Sequence, residues 1–470
     1  MIDYLVIVAY FAALLVAGYA GLRRARDTKG FVLAGRRLGP FMYMSALSTV
    51  VLGGTSTIGG MSLGYQYGLS GAALVFMLAL GIMAIGVFFS RVLYKYDLYT
   101  VAQVLGRRYG VSARRISAVV VVFYTLMVGV SQVLAIGTIF NVVLGMPPAP
   151  AIIVGFVVTM AYCVAGGMWS ITLTDVLQFV VMTIGIFGLL APLVLAHAGG
   201  IGHMADVLPA DFFTPDGIGW PTILAYFLLF FFGFMVDQGN WQRIGTARSP
   251  KVAMWGCVAA GVYCMLYGVT AALAGAAARV LFPSLADPDQ AFASAAKAVL
   301  PVGVLGVVLA AGLAAAMSTA SGLLIGGSTV AVQDLYADVA PRRANTVAAN
   351  RWALFGLSLL ALVLSFVFTS VVTATTVAAD LLASALFVPV VAALFWRRAT
   401  APGAVSSMIV SAVVTVVLMG VYGVDANEPV IYGLLSSVVV FVAVSLATYR
   451  RHPSPSLRPP AEEPAVSPVG

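Results

Sequence analysis

Two hydroxyl side chains and one backbone carbonyl in the stretch AAAMSTASG, residues 314–322, are spaced so that they could bind a small cation. In a helix, Ala315, Ser318 and Thr319 share one face, because they are separated by three and four residues. Carbonyl and hydroxyl oxygens are hard neutral ligands, which a small hard cation such as Na⁺ prefers. The alternative is that Ser318 and Thr319 only hydrogen-bond to the preceding helical turn.

A second stretch that could bind ions or solutes is GGTSTIGG, residues 53–60, which contains four glycines and three hydroxyl side chains. Glycine at this density weakens a helix. Where a helix unwinds inside a membrane, its freed carbonyls can bind a cation, provided that they are buried in protein or line a cavity. The alternative is close helix packing through small residues. Residues 231–239, FFGFMVDQG, form a weaker interruption that ends in polar residues.

The elements that carry these residues are long apolar segments. Of the 470 residues, 61% are hydrophobic and 9% are charged, whereas soluble domains carry roughly 25% charged residues. Apolar runs of about 20 residues can each cross a hydrocarbon core of roughly 30 Å as a helix, and they are too long and uniform for barrel strands. We therefore predict an all-α polytopic membrane protein with about thirteen transmembrane helices. The predicted spans are 4–22, 41–66, 70–92, 116–144, 149–169, 172–196, 221–245, 252–281, 301–333, 351–370, 377–396, 401–424 and 429–449.

Charged residues predict the orientation of these spans. All but two of the 25 Lys and Arg residues, the exceptions being Arg279 and Lys297, fall in loops on one side. The positive-inside rule assigns that side to the cytoplasm. An odd number of spans then places the N-terminus outside and the C-terminus inside a cytoplasmic (inner) membrane. The two interrupted segments lie five spans apart and so run in opposite directions, as an inverted repeat requires.

The composition argues against several other functions. The formal charge of +8 is spread over many loops and forms no basic patch for nucleic acid. Cys163, Cys257 and Cys264 lie within predicted spans without metal-ligand spacing, and no nucleotide-binding or hydrolase motif occurs. We therefore expect no enzymatic activity and no obligate protein partner. We expect a single transporter domain over residues 1–450 and a disordered cytoplasmic tail over residues 452–470.

Four segments resemble the sodium:solute symporter family. They are SALSTVVLGGTSTIGGMSLGYQYGLSG, AYCVAGGMWSITLTDVLQF, DQGNWQRIGTARS and AAAMSTASGLLIGGSTVAVQDLY, and the resemblance extends over about residues 1–450. It implies a LeuT-type core of two inverted five-helix repeats with discontinuous helices, at about 41–196 and 221–396. Span 1 would then be peripheral, and two further helices would follow at 401–449. The resemblance also implies Na⁺-coupled uptake of a small organic solute.

Matching these motifs residue by residue implies one Na⁺ site between spans 2 and 9. Its implied ligands are the carbonyls of Thr49, Leu52 and Ala315 and the hydroxyls of Ser318 and Thr319.

A second Na⁺ site, which some members hold, is implied at Asp175, Ser318 and Ser321. Gly322 stands where those members carry another hydroxyl residue, so we expect one Na⁺ site rather than two. Asp175 could instead pair with a cytoplasmic arginine.

The resemblance says less about the solute. The same matching places Gly53, Ser56, Gln132 and Phe234 at the solute pocket, and Asp380 could bind a cationic group of the solute, line an outer gate or face water. Few hydrogen-bonding side chains occur there, which favours a compact amino acid such as proline, or a small carboxylate, over a sugar. The alternatives are a proton-coupled transporter of the same fold, a channel, or a solute sensor without coupled transport.

The charge pattern makes the orientation testable by cysteine labelling. Cysteines introduced in two predicted cytoplasmic loops, 107–115 and 342–351, should resist an impermeant thiol reagent added to intact cells, because the membrane excludes the reagent. Cysteines placed beside Asp216 and Asp287, in predicted outer loops, should react and serve as controls. Labelling of the arginine-rich loops from outside would reverse the predicted orientation.

Overall fold

The computed structural model describes residues 2–23, 28–96, 98–344, 346–368 and 370–451. Across these residues the chain is helical and contains no β-strand. The predicted tail, 452–470, and two of the predicted loop arginines, Arg24 and Arg26, lie outside the described residues.

Twenty-two α-helices follow one another along the described residues. They are α1 (Ile2–Leu22), α2 (Thr28–Leu33), α3 (Pro40–Val51), α4 (Gly60–Tyr67), α5 (Ala73–Ala84), α6 (Ser90–Tyr96), α7 (Val101–Tyr109), α8 (Val111–Leu144), α9 (Pro148–Met182), α10 (Ala191–His197), α11 (Gly200–Val207), α12 (Trp220–Tyr226), α13 (Phe232–Met235), α14 (Gln238–Ile244), α15 (Pro250–Leu281), α16 (Ala291–Val299), α17 (Val304–Val330), α18 (Pro341–Ala344), α19 (Val347–Leu364), α20 (Val371–Phe395), α21 (Ala401–Tyr422) and α22 (Glu428–Thr448). Short π-helical segments extend or join several of them, at Thr55–Gly59, Ile85–Phe89, Thr183–Leu190, Phe227–Phe231 and Ala331–Leu335.

Apolar chain in a membrane forms helices because each backbone amide and carbonyl must find a partner inside the protein. Within the described ranges, ten helical segments are long and apolar enough to cross a membrane, or eleven if one bent pair counts as a single span. That pair is Trp220–Met235 with Gln238–Ile244. The prediction of an all-helical membrane protein is confirmed.

Helix α17 forms the centre of the bundle. Of the most apolar 18 residues in the span that contains α17, 83% are buried. The corresponding share is 28% in α1 and in α21, and 33% in α22. The central helix packs against α1, α3, α8, α9 and α14. The less buried helices therefore present their apolar side chains to lipid, and α17 contacts protein on all sides.

Both predicted interruptions are present. Helix α3 ends at Val51, and the chain leaves the helical path at Leu52 and Gly53 before the π-helical segment that leads into α4. The second break lies at Val236 and Asp237, between α13 and α14, where the helix axis bends by 42°. Each break places backbone and polar side chains within a long apolar segment.

Loops from distant parts of the chain meet at one end of the bundle, which we call the acidic face. A wide vestibule opens there, and Tyr67, Asp287, Asp289 and Asp425 all line it. The N-terminal helix begins near this end, because Asp3 accepts hydrogen bonds from the amides of the loop and turn that start α17, each 2.8 Å long.

The opposite end, the basic face, gathers arginine-rich loops. Arg108 donates to the carbonyl oxygens of Trp396 and Arg397, at 3.1 and 3.2 Å. Two further arginines, Arg114 and Arg115 in the first turns of α8, form ion pairs with Asp338. The two faces thus differ in charge as the sequence predicts for the two sides of a membrane.

Candidate ion and solute site

The break after α3 leaves backbone carbonyls without partners in their own helix. In a continuous helix the Gly54 amide would donate to the Val50 carbonyl, four residues earlier. It donates instead to Oε1 of Gln132 on α8, at 2.7 Å. The carbonyls at the end of α3 are thereby free to accept hydrogen bonds from α17.

Two hydroxyls of α17 fill that role. The Ser318 hydroxyl donates to the Thr49 carbonyl at 2.8 Å, and it lies 2.9 Å from the Ala315 carbonyl of its own helix. The Thr319 hydroxyl donates to the Val50 carbonyl at 2.9 Å. All five residues are buried, so α3 and α17 meet through a cluster of neutral oxygens from which lipid and bulk water are excluded.

This cluster suits a small hard cation. Carbonyl oxygens of Thr49, Val50 and Ala315 point toward the hydroxyls of Ser318 and Thr319. A hydroxyl can rotate to present a lone pair in place of its hydrogen, so the same five oxygens can act as cation ligands. The donor set is hard and uncharged, which fits Na⁺.

Four of the five predicted Na⁺ ligand residues, Thr49, Ala315, Ser318 and Thr319, lie together in this cluster. The fifth, Leu52, lies at the break, where its amide donates to the Ser48 carbonyl at 2.9 Å. Sequence reasoning missed Val50, whose carbonyl becomes available only because Gly54 bonds to Gln132.

Gly53 allows the break and α17 to approach closely. A Cβ atom at this position would lie 2.5 Å from Oγ1 of Thr319 and 2.8 Å from Oε1 of Gln132. Any larger residue would therefore separate α3 from both helices.

A small cavity lies beside the oxygen cluster. Its volume is about 40 Å³, enough for about three water molecules. The four predicted pocket residues, Gly53, Ser56, Gln132 and Phe234, all line it. The other lining residues are mostly apolar, but sequence reasoning missed five polar ones, which are Thr55, Tyr124, Asp237, Asn240 and Thr375. Asp237 had a usable signal, since it is a carboxylate within a predicted span.

The fifth predicted solute residue, Asp380, lies elsewhere. It lines the vestibule at the acidic face, which has a volume of about 700 Å³. Its side chain is 1% exposed, and neither carboxylate oxygen has a hydrogen-bond partner. Leu229 lines both spaces. The hydroxyls of Thr55 and Thr375, which form a hydrogen bond of 2.8 Å, line the cavity alone.

The predicted second ion site has a different geometry. Oδ2 of Asp175 accepts a hydrogen bond from Nη2 of Arg243 at 2.7 Å, and both side chains are buried. The Ser321 hydroxyl donates to the Ser318 carbonyl at 2.9 Å. The charge count placed Arg243 on the cytoplasmic side, at the end of the predicted span 221–245, whereas the structure buries it inside the bundle.

Gly322 makes room for this guanidinium. A Cβ atom there would lie 2.7 Å from Nη2 of Arg243 and closer still to Nη1. Nε of the same arginine donates to the Ala46 carbonyl at 3.1 Å. The residue that departs from the two-ion pattern is thus the one that lets Arg243 reach Asp175.

Two broken helices, buried oxygens at one break and a small cavity beneath a wide vestibule are typical of a membrane transporter for small solutes. Comparisons with known proteins agree with this class. The model of the sodium:solute symporter family matches residues 31–411. The chain belongs to the sodium:solute symporter family, whose members are transporters rather than enzymes.

The chain is 28% identical over 459 residues to the high-affinity proline transporter PutP of Bacillus subtilis (strain 168), covering 93% of this chain and 96% of that protein. It is 27% identical over 460 residues to the sodium/pantothenate symporter of Escherichia coli (strain K12), covering 93% and 94%. Among solved structures, a Na⁺-coupled sialic acid symporter in a substrate-bound outward-open state aligns with a TM-score of 0.83. The alignment has 19% identity and covers 97% of this chain and 99% of that one. At this level of identity, the structural similarity shows a shared fold.

The buried ion pair can be tested by stability measurements. Asp175→Asn or Arg243→Gln should each lower the Tm of the purified protein in detergent, because breaking a buried pair costs about 3–5 kcal/mol. The double variant should recover part of the loss, since neither charge is then left unpaired. Asp338→Asn, at a pair exposed to water, is the control and should change the Tm little. Strictly additive losses from Asp175 and Arg243 would show that the two charges do not stabilise each other.

Proposed function

We propose that this protein is a Na⁺-coupled symporter that imports a small organic solute, an amino acid such as proline or a small carboxylate. The observation that carries the proposal is the position of the oxygen cluster. Thr319 belongs to it and also lines the solute cavity, as does Gly53 beside it. An ion and a solute bound there would share the same wall, so each would alter the affinity for the other.

We further propose thirteen spans, with the N-terminus outside and the basic face in the cytoplasm. The helical segment 55–96 would form two crossings separated by a turn at Gly68, where φ is +62°, and α3 would complete the first. Helix α9 would be divided at Gly167, where φ is +57°. The two breaks then lie in equivalent helices of two inverted repeats, at about 41–196 and 221–396.

The geometry favours alternating access. The vestibule opens to the acidic face, and we propose that Leu229 and the hydrogen-bonded hydroxyls of Thr55 and Thr375 form the gate between it and the cavity. Toward the basic face, α14 and the buried Asp175–Arg243 pair would form the inner gate. Na⁺ between α3 and α17 would favour this outward-facing state, to the extent that it binds that state more tightly than the inward-facing one.

We propose one Na⁺ per solute. A second Na⁺ at Asp175 would have to displace the Arg243 guanidinium, which already supplies the positive charge. Gly322 adds no hydroxyl ligand to compensate. The arginine thus acts as a tethered cation in place of a second ion.

The function is tested by reconstituting the purified protein in proteoliposomes and screening radiolabelled solutes with and without an inward Na⁺ gradient. We expect saturable uptake that depends on Na⁺. Uptake driven equally well by a proton gradient in Na⁺-free buffer would contradict the choice of ion. Unsaturable flux in both directions would indicate a channel.

The ion site is tested by removing its hydroxyls. Ser318→Ala with Thr319→Ala should raise the Na⁺ concentration for half-maximal uptake by about ten-fold or more, because a hydrogen-bonding contact to a charge contributes about 1.5–3 kcal/mol. Ser328→Ala is the matched control, since Ser328 is buried on the same helix but bonds only to the Ile325 carbonyl. An unchanged Na⁺ dependence in the double variant would exclude this site.

The stoichiometry is tested by the reversal potential of transport for a neutral solute. Each charge moved is equivalent to about 2.3 kcal/mol per 100 mV, so the voltage at which net flux stops reports the number of Na⁺ ions. We expect one Na⁺ per solute in the natural protein and in Asp175→Asn. A ratio of two that falls to one in Asp175→Asn would establish a second ion at this carboxylate.

A further inference from the structure

Asp237 occupies the break between α13 and α14, at the end of the cavity that lies toward the basic face. Its Oδ1 accepts a hydrogen bond of 2.7 Å from the backbone amide of Asn240 and so caps the first turn of α14. Its Oδ2 is buried and makes no hydrogen bond of normal geometry with the described residues, and the side chain beside it is the neutral phenol of Tyr124, a weakly aligned donor. The capping role therefore accounts for one oxygen of this carboxylate, and the other has only a neutral phenol beside it and no positively charged partner among the described residues.

Further polar atoms at this end of the cavity are also unsatisfied. Asn240 lines the cavity, is fully buried, and has no hydrogen-bond partner at either Oδ1 or Nδ2. The Tyr124 phenol lies beside Asp237 on the same wall, but it is neutral and leaves the negative charge unbalanced. Buried polar atoms without partners are costly, so a cluster of them around a cavity indicates a ligand.

The residues that the structure describes around the cavity supply no positively charged side chain to balance the Asp237 carboxylate. Among the described residues that line it there is no Lys, Arg or His. Arg243, one turn and a half further along the chain, is already bonded to Asp175 and to the Ala46 carbonyl. A cationic group that entered the cavity would be the partner for the free oxygen.

The approach to the cavity has the same electrostatic character. The vestibule is lined by four carboxylates, Asp287, Asp289, Asp380 and Asp425, and by no basic side chain of the described residues. Asp380 directly follows Ala379, a residue of the cavity wall, and both of its oxygens are free. Such a path raises the local concentration of cations and repels anions.

We propose that Asp237 and Asn240 form the subsite for a protonated amine of the transported solute. The solute is then a small zwitterion or cation whose apolar body contacts side chains such as Leu78 and Phe234. This proposal rests on the symporter function proposed above and narrows its solute class. It selects ammonium-bearing compounds, such as amino acids, over simple carboxylates.

The test is ligand-induced stabilisation of the full-length purified protein in detergent at constant Na⁺. The probes are matched triads: L-proline, pyrrolidine and cyclopentanecarboxylate; glycine, methylammonium and acetate; γ-aminobutyrate, butylammonium and butyrate. A ligand that binds the folded state raises the Tm in proportion to its saturation. We expect at least one ammonium-bearing compound to raise the Tm, and its carboxylate-only counterpart to have no effect at the same concentration.

Asp237→Asn separates charge from structure, because asparagine caps a helix as well as aspartate does. In this variant the apparent affinity for the stabilising amine should fall by about ten-fold or more, the effect of losing one charge-assisted hydrogen bond. Asp206→Asn, which removes a charge from an exposed loop helix, should bind as the natural protein does.

Stabilisation by the carboxylate-only compounds, an absence of any ammonium-selective shift, or unchanged amine affinity in Asp237→Asn would each overturn the subsite. If Asp237→Asn cannot be purified, the triads decide the question on the natural protein alone. The triads compare solutes at one constant Na⁺ concentration, so their result does not require Na⁺-driven uptake. A failure of Na⁺-dependent uptake would thus contradict the symporter proposal and leave the amine subsite standing.

Discussion

The structure depends on one requirement, that backbone carbonyls freed within a membrane must find partners inside the protein. The break at Leu52 and Gly53 creates such carbonyls in the middle of a span. Ser318 and Thr319 satisfy them from α17, and Gln132 binds the displaced Gly54 amide from α8. The positions of three helices are therefore fixed by the same few hydrogen bonds, and those bonds create the oxygen cluster.

Close packing around α17 makes this arrangement possible. The central helix is rich in Gly, Ala and Ser, which let neighbouring backbones approach where lipid offers no hydrophobic driving force. A Cβ at Gly312 would lie 2.7 Å from the ring of Phe292, and one at Gly327 would collide with Thr125. The absence of a side chain at Gly322 likewise leaves room for the guanidinium of Arg243. Small residues thus determine both helix spacing and the position of Arg243.

Buried carboxylates in this protein fall into two groups. Asp175 is paired with a guanidinium, and such a pair stabilises the bundle mainly because separating it would leave a charge unpaired. Asp237 and Asp380 retain free oxygens beside a cavity and a vestibule. Since an unpaired charge in a membrane is expensive, carboxylates of this second kind are where a ligand is expected, and this expectation underlies the amine subsite proposed above.

The sequence by itself determined the all-helical membrane architecture, because apolar runs of span length and sparse charge allow few other folds. It also located both breaks, from glycine density at 53–60 and from polar residues after Phe234. The membership of Ser318 and Thr319 in an oxygen cluster followed from helical spacing and from family resemblance.

Tertiary structure alone decided which partners these residues meet. Val50 enters the cluster only because a side chain of α8 takes the Gly54 amide, a contact across 78 positions of the chain. Arg243 stands at the basic end of a predicted span, 68 positions from Asp175 along the chain. In the structure the two side chains form a hydrogen bond in the interior. Local sequence patterns indicate which segments are apolar and which residues share a helix face. The contacts between these side chains depend instead on how distant helices pack. For that reason the sequence predicted the elements and several of the site residues, and the fold determined their pairing.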